Sequence, residues 1–145
     1  IEIFIQDFEL YMRRHRESFT KEQFKRRMEY GQTILTDYYE HSVSSFTKIV
    51  AIERNIRNVV INGIPLKGKL DKLEFDGKSV NVVDYKTGDP DRAITKLNGP
   101  TAKDPLGGDY WRQAVFYKIL VDNYEQRGWT AVSTEFDFIE PDKQK

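Results

Sequence analysis

The chain has 145 residues, of which 39% are hydrophobic, 13% aromatic and 32% charged, a composition that suits one folded domain with a core and is too aromatic for a disordered chain. Lys and Arg number 23 and Asp and Glu number 23, so the net charge is zero and a polybasic binder is excluded, although a local basic groove is not. The absence of cysteine excludes a disulfide scaffold, a zinc ribbon, a thiol nucleophile and a cysteine-held iron–sulfur cluster. No apolar run approaches the ~18–20 residues a membrane span requires, so no membrane partner is expected. The sequence opens on Ile1 with no signal-peptide pattern. The expectation is therefore a single domain, 1–145, cut from a longer soluble, cytoplasmic protein.

Residues 1–16 place Ile5, Phe8 and Met12 at helical spacing, with Arg13, Arg14 and Arg16 outside that stripe. Thr20 is placed to cap a second helix, with Gln23 in capping-box register. Phe24, Met28, Leu35, Tyr38 and Tyr39 continue the apolar stripe to about Val43. This makes 1–46 a helical N-terminal part. Residues 49–53 and 56–61 are β-rich, Asn62-Gly63 is a hairpin signal, and 64–75 reads as the return strand. Asp76-Gly77 turns the chain into a further strand over 79–86, giving an antiparallel meander. Residues 87–109 read as a long loop, of the kind that is usually functional or mobile. Asp109 is the expected N-cap of a helix running to about Gln126, with Gly128 as its stop. Its apolar residues cover much of its circumference, which predicts packing between two layers. A last alternating strand covers 132–139, and Pro141 ends it.

The chemistry gathers between the second and third of these strands. A four-residue turn over 76–79 pairs Phe75 with Val80, Leu73 with Val82 and Asp71 with Asp84. Because side chains alternate faces along a strand, Asp71, Leu73 and Phe75 are expected to share a face with Val80, Val82, Asp84 and Lys86. Directly opposed Cβ atoms lie ~5 Å apart, and two carboxylates at that spacing repel unless a cation sits between them. Carboxylate oxygens suit Mg²⁺ or Mn²⁺, and Lys86 would then reach a phosphate or a cation-bound water. The plainer reading is a strand-end ion pair between Asp84 and Lys86 with Asp71 in solvent.

Gly68-x-x-Asp71, then Val82-Val83-Asp84-Tyr85-Lys86-Thr87-Gly88, then Tyr110-x-x-Gln113-x-x-x-Tyr117 resembles the RecB-type branch of the PD-(D/E)XK nucleases, domains fused to or partnered with UvrD/Rep-type DNA helicases. The resemblance covers residues 49–139 and makes 47–145 the nuclease core. It implies a restriction-endonuclease-like α/β fold, with a mixed, largely antiparallel central sheet flanked by helices. It implies metal-dependent hydrolysis of DNA phosphodiesters, with DNA and a helicase motor in the same chain or complex as partners, in DNA repair or recombination. Asp71 and Asp84 resemble the metal ligands, with the Tyr85 carbonyl as a further ligand and Mg²⁺ or Mn²⁺ as cofactor. Lys86 resembles the catalytic lysine, and Gln113 and Tyr117 match the helical QxxxY motif, sharing one helix face at i and i+4. Without the resemblance, Tyr117 reads as a core aromatic with a wet hydroxyl, and Gln113 as a partly buried amide.

The family pattern is incomplete here. Relatives usually carry a Gly-x-x-x-His helix upstream that completes the metal site, and none occurs in this chain. The expectation is that it precedes Ile1 in the parent, so that the fragment folds without being catalytically complete. His15 and His41 are not expected as ligands, and Glu53 reads as a surface partner of Arg54 or Lys48. The alternative function is a catalytically incomplete DNA-binding or scaffold module of a helicase. Lys67, Lys69, Arg92, Lys96, Lys103 and Arg112 are candidate strand contacts, and Tyr110 or Trp111 is a candidate base stacker. With no cysteine, no iron–sulfur cluster is expected.

Overall fold

Two helices make the first unit of the computed structural model, which describes residues 1–46 and 49–141 and divides into two compact units, Ile1–Phe46 and Thr47–Lys145. Helix α1 spans Glu2–Arg14 and helix α2 spans Lys21–Ser42. The capping box forms: Gln23 N donates to Thr20 Oγ1 at 3.2 Å and Thr20 N donates to Gln23 Oε1 at 3.0 Å. The two helices approach closely where the Phe8 ring lies against Gly31, in space a Cβ would occupy. Gln32 adds a hydrogen bond to Glu9 across the pair. Both histidines are engaged locally, His15 against the Tyr11 ring and His41 with the Asp37 carbonyl.

The second unit is a four-stranded sheet in the order β1-β2-β3-β4, with β1 Val50–Ile61, β2 Ile64–Asp76, β3 Ser79–Lys86 and β4 Thr130–Phe138. The first three strands form the expected antiparallel meander. Asn62 and Gly63, with φ of 51° and 79°, turn the first hairpin in the left-handed region where this dipeptide is favoured. Strand β4 runs parallel to β3, a pairing that requires a crossover connection, supplied here by a helix. That helix, α3, spans Asp109–Asp122. The core lies between it and the sheet: Ile56, Val59, Leu70, Leu73, Val80 and Val82 pack with Tyr117, Leu120 and Val121. The result is the mixed, largely antiparallel sheet of a restriction-endonuclease-like α/β fold.

Several details differ from the sequence expectation, each for a local reason. Strand β1 is continuous, pairing with β2 on both sides of Glu53 and Asn58, which adopt left-handed φ values of 51° and 62° inside it. Between Ile56 and Val59 it takes one more residue than its partner, a β-bulge. The 87–109 segment contains a 3₁₀ helix, Asp91–Leu97, too short to show periodicity. Helix α3 is capped by Gly108, not Asp109, and stops at Asp122. There the Asp122 carboxylate takes the Ala131 amide at 2.7 Å, and Lys118 donates to the Ala131 carbonyl at 2.8 Å, tying the helix end to β4. Within this unit α3 buries one side only, leaving Val115 and Phe116 exposed, so the expected packing between two layers is not found there.

Strict alternation also fails in β2. Gly68 and Leu70 face α3, and so does Leu73, so the phase slips at Asp71 and Lys72. Lys72 is buried with an ion pair to Glu74 at 2.7 Å. Burial alone would lower its pKa, but the hydrogen bond and charge of Glu74, joined by Tyr85, raise it above the ordinary lysine value. Gly68 is required by close approach: a Cβ there would overlap Leu120 Cδ1, and Leu120 is fully buried. Gly68→Ala is therefore expected to destabilise the protein by about 1–3 kcal/mol through overpacking, read as a lower urea midpoint at unchanged slope. An unchanged midpoint would show that Leu120 yields freely.

Candidate active site

Asp84 is the centre. It sits near the C-terminal end of β3 and is only 4% exposed. A carboxylate this deep requires hydrogen bonds and a counter-charge. Its Oδ1 accepts from the Tyr117 hydroxyl at 2.5 Å and from Gln113 Nε2 at 2.9 Å. Its Oδ2 is buried and forms an ion pair with Lys86 Nζ at 2.5 Å, but accepts no hydrogen bond of ordinary geometry. Lys86 also donates to Gln113 Oε1 at 3.0 Å. Gln113 thus meets the ammonium with its oxygen and the carboxylate with its nitrogen, the one amide orientation that satisfies both. A further bond of 2.5 Å joins Gln113 Nε2 to the Tyr117 oxygen.

Helix α3 delivers these groups because Gln113 and Tyr117 are four residues apart on one face, with Tyr110 three residues before Gln113. Burial pushes the Tyr117 phenol above its ordinary range, and the hydrogen bond to Asp84 and that carboxylate's charge push it further. The phenol therefore stays a donor.

Asp71 lies one residue past the last registered β2–β3 pair, Lys72 with Val83. Every pair from Asp76–Ser79 to that point follows the expected register. At Asp71 the ladder gives way to a side chain, and Asp71 Oδ2 accepts the Tyr85 amide at 3.0 Å. Asp71 is therefore not free in solvent, whereas the Asp84–Lys86 ion pair of the plainer reading does form. The carboxylate oxygens of Asp71 and Oδ2 of Asp84, which faces the Lys86 ammonium without a hydrogen bond of ordinary geometry, are hard donors that fit a divalent cation. Among the described residues no group of three or more acids or histidines stands together to hold one.

Other candidates are drawn elsewhere. Glu53 pairs with Lys69, not Arg54, and Lys48 lies outside the described residues. Arg112 pairs with Asp109 and the Gly107 carbonyl, and Arg92 with Asp89 at 3.6 Å. Three of the six expected strand contacts, Lys69, Arg92 and Arg112, are thus ion-paired within the chain. The Trp111 indole covers Gly99 in the neck of the long loop. The Tyr110 ring is occupied: it stacks on Phe136 at 4.9 Å, and Lys86 and Lys96 approach it at 4.9 and 5.1 Å. Phe136 was not expected at the site. It stands beside Asp84 in the β3–β4 register, and a signal for it existed only in the aromatic alternation Phe136, Phe138.

A model of the PD-(D/E)XK nuclease superfamily matches residues 5–143. No curated protein and no solved structure matches the chain. Among the described residues no helix is long and apolar enough to cross a membrane.

The Tyr117 shift sets a pH dependence. The folded state keeps this phenol protonated where the unfolded chain releases its proton, near pH ~10. Its contribution to stability is complete below that pH and is lost as pH rises above it. Tyr117→Phe should flatten the fall in urea midpoint between about pH 9 and 11, leaving a residual slope from Lys72, whose raised pKa acts in the same direction. An equally steep fall in the variant would contradict this.

Proposed function

We propose that this chain, which belongs to the PD-(D/E)XK nuclease superfamily, hydrolyses DNA phosphodiester bonds with Mg²⁺ or Mn²⁺, as the nuclease part of a RecB-type helicase–nuclease in DNA repair or recombination. The observation that carries this reading is the cluster at Asp84, where one buried carboxylate engages Lys86, Gln113 and Tyr117 at once. Asp71, Asp84 and the Tyr85 carbonyl would hold the cation. When bound, it supplies polarisation of a phosphate oxygen and a nucleophile from water. Tyr117 and Gln113 fix Oδ1 of Asp84, which keeps Oδ2 directed away from them. Lys86 is held beside that oxygen, where its ammonium offsets the charge gathering on an attacked phosphate. Gln113 orients acid and ammonium together.

The helicase partner is supported by the order of the three motifs, and a net charge of zero suits a domain that receives DNA from a motor. We read the two units as one nuclease domain, 1–145, working in the cytoplasm. One observation favours a second reading, a catalytically incomplete DNA-binding or scaffold module: no third acid or histidine joins Asp71 and Asp84 among the described residues.

The test is cleavage of single- and double-stranded DNA by the full-length protein, with Mg²⁺, with Mn²⁺ and with chelator. Wild type is expected to cut only with the cation. Asp84→Ala and Lys86→Ala are each expected to lose about 10²-fold or more in rate. Variants that cut as well as wild type would remove these residues from the mechanism. A wild type that binds DNA without cutting it would favour the scaffold.

A further inference from the structure

We propose that Tyr110 is a positioning residue for Lys86, its ring together with that of Phe136 forming an aromatic rest for the ammonium. The proposal rests on the nuclease reading of Lys86 and goes beyond it by assigning what fixes that side chain. A lysine has a long flexible stem and loses much rotamer freedom when held in one place. Two polar anchors act here, Asp84 Oδ2 at 2.5 Å and Gln113 Oε1 at 3.0 Å. The rings supply another side: the ammonium lies 4.9 Å from the Tyr110 centroid and 5.3 Å from that of Phe136, both within cation–π reach.

The rest is itself rigidly seated. Tyr110 stacks on Phe136 with an interplanar angle of 23° and tilts against Phe138 at 6.3 Å. Those two phenylalanines stand beside Asp84 and Lys86 in the parallel register of β3 and β4. Tyr110 also lies in the first turn of α3, on the face that carries Gln113 and Tyr117. The aromatic faces attract the ammonium through their quadrupoles and carry no formal charge. They therefore hold Lys86 without neutralising it, and leave its charge available to a phosphodiester. Lys96 brings a second ammonium to 5.1 Å from the Tyr110 ring, so two cations from different elements converge on this aromatic.

The experiment compares wild type, Tyr110→Phe and Tyr110→Leu in the full-length protein, by DNA cleavage kinetics and by NMR of the Lys86 side chain. Tyr110→Phe keeps the ring and should retain kcat within about twofold, while Tyr110→Leu should lose about tenfold in kcat with KM nearly unchanged. The Lys86 ε-methylene protons should show ring-current shifts in wild type and Tyr110→Phe that shrink in Tyr110→Leu. If Tyr110→Leu does not fold, Phe136→Leu carries the same expectation. Unchanged kcat and unchanged shifts in the leucine variant would overturn the proposal, as would a rise in KM alone, which would mean that Tyr110 stacks a base. A wild type that cuts no DNA overturns the nuclease reading and this proposal together, whereas an active wild type with an unaffected leucine variant overturns this proposal alone.

Discussion

The second unit is organised around a carboxylate removed from water. Leaving Asp84 at 4% exposure without partners would cost several kcal/mol, and stripping one partner from such a buried pair commonly costs about 3–5 kcal/mol. The compensation comes from two elements at once. Lys86 follows on the same strand, and Gln113 and Tyr117 come from the helix that covers it. The crossover from β3 through α3 to β4 therefore closes the apolar core and completes a polar cluster at its end. The same helix face supplies Leu120 to the core and Gln113 to the acid.

The two sides of the sheet handle charge differently. Toward α3 the packing is mainly apolar, with the buried Asp84 at one end and Phe75, Tyr124 and Trp129 packed against the aliphatic cluster. Elsewhere on β2, β3 and β4, Glu74 takes both Lys72 and the Asn81 amide. Asn81 in turn reaches Glu135 and accepts from Ser133. That network cross-links three strands through side chains, in addition to their backbone ladder. Tyr85, between Asp84 and Lys86 in sequence, belongs to both: its amide serves Asp71, and its side chain adds to the raised pKa of Lys72.

Much of this was legible in the sequence because short-range chemistry controls it. The capping box at Thr20 and Gln23, the Asn62-Gly63 hairpin and the register set by the 76–79 turn depend on neighbours along the chain; the first two formed as expected, and the register holds as far as Lys72 and Val83 but not to the expected Asp71–Asp84 pair. The i, i+4 spacing of Gln113 and Tyr117 likewise brought both to one carboxylate. What escaped needed knowledge of a partner strand. The phase slip at Asp71 and Lys72 accompanies a left-handed Glu53 on β1, for which a glutamate gives no cue. Phe136 comes to the site only through the parallel register of β4. The 3₁₀ helix Asp91–Leu97 carries a single buried residue, Ala93, so no apolar stripe announced it.

Gly68 lies three residues before Asp71 yet touches no part of the acid cluster. Its bare Cα lets Leu120 descend onto β2, and Leu120 is one turn beyond Tyr117 on the same helix. The glycine thus acts as a height gauge. It sets how far α3 stands above the sheet, and so whether a phenol and an amide can reach a carboxylate rooted in the strand below. Hydrogen bonds of 2.5 and 2.9 Å tolerate little lift. The tolerance of the acid cluster is therefore decided in the apolar packing, where Gly68 meets Leu120.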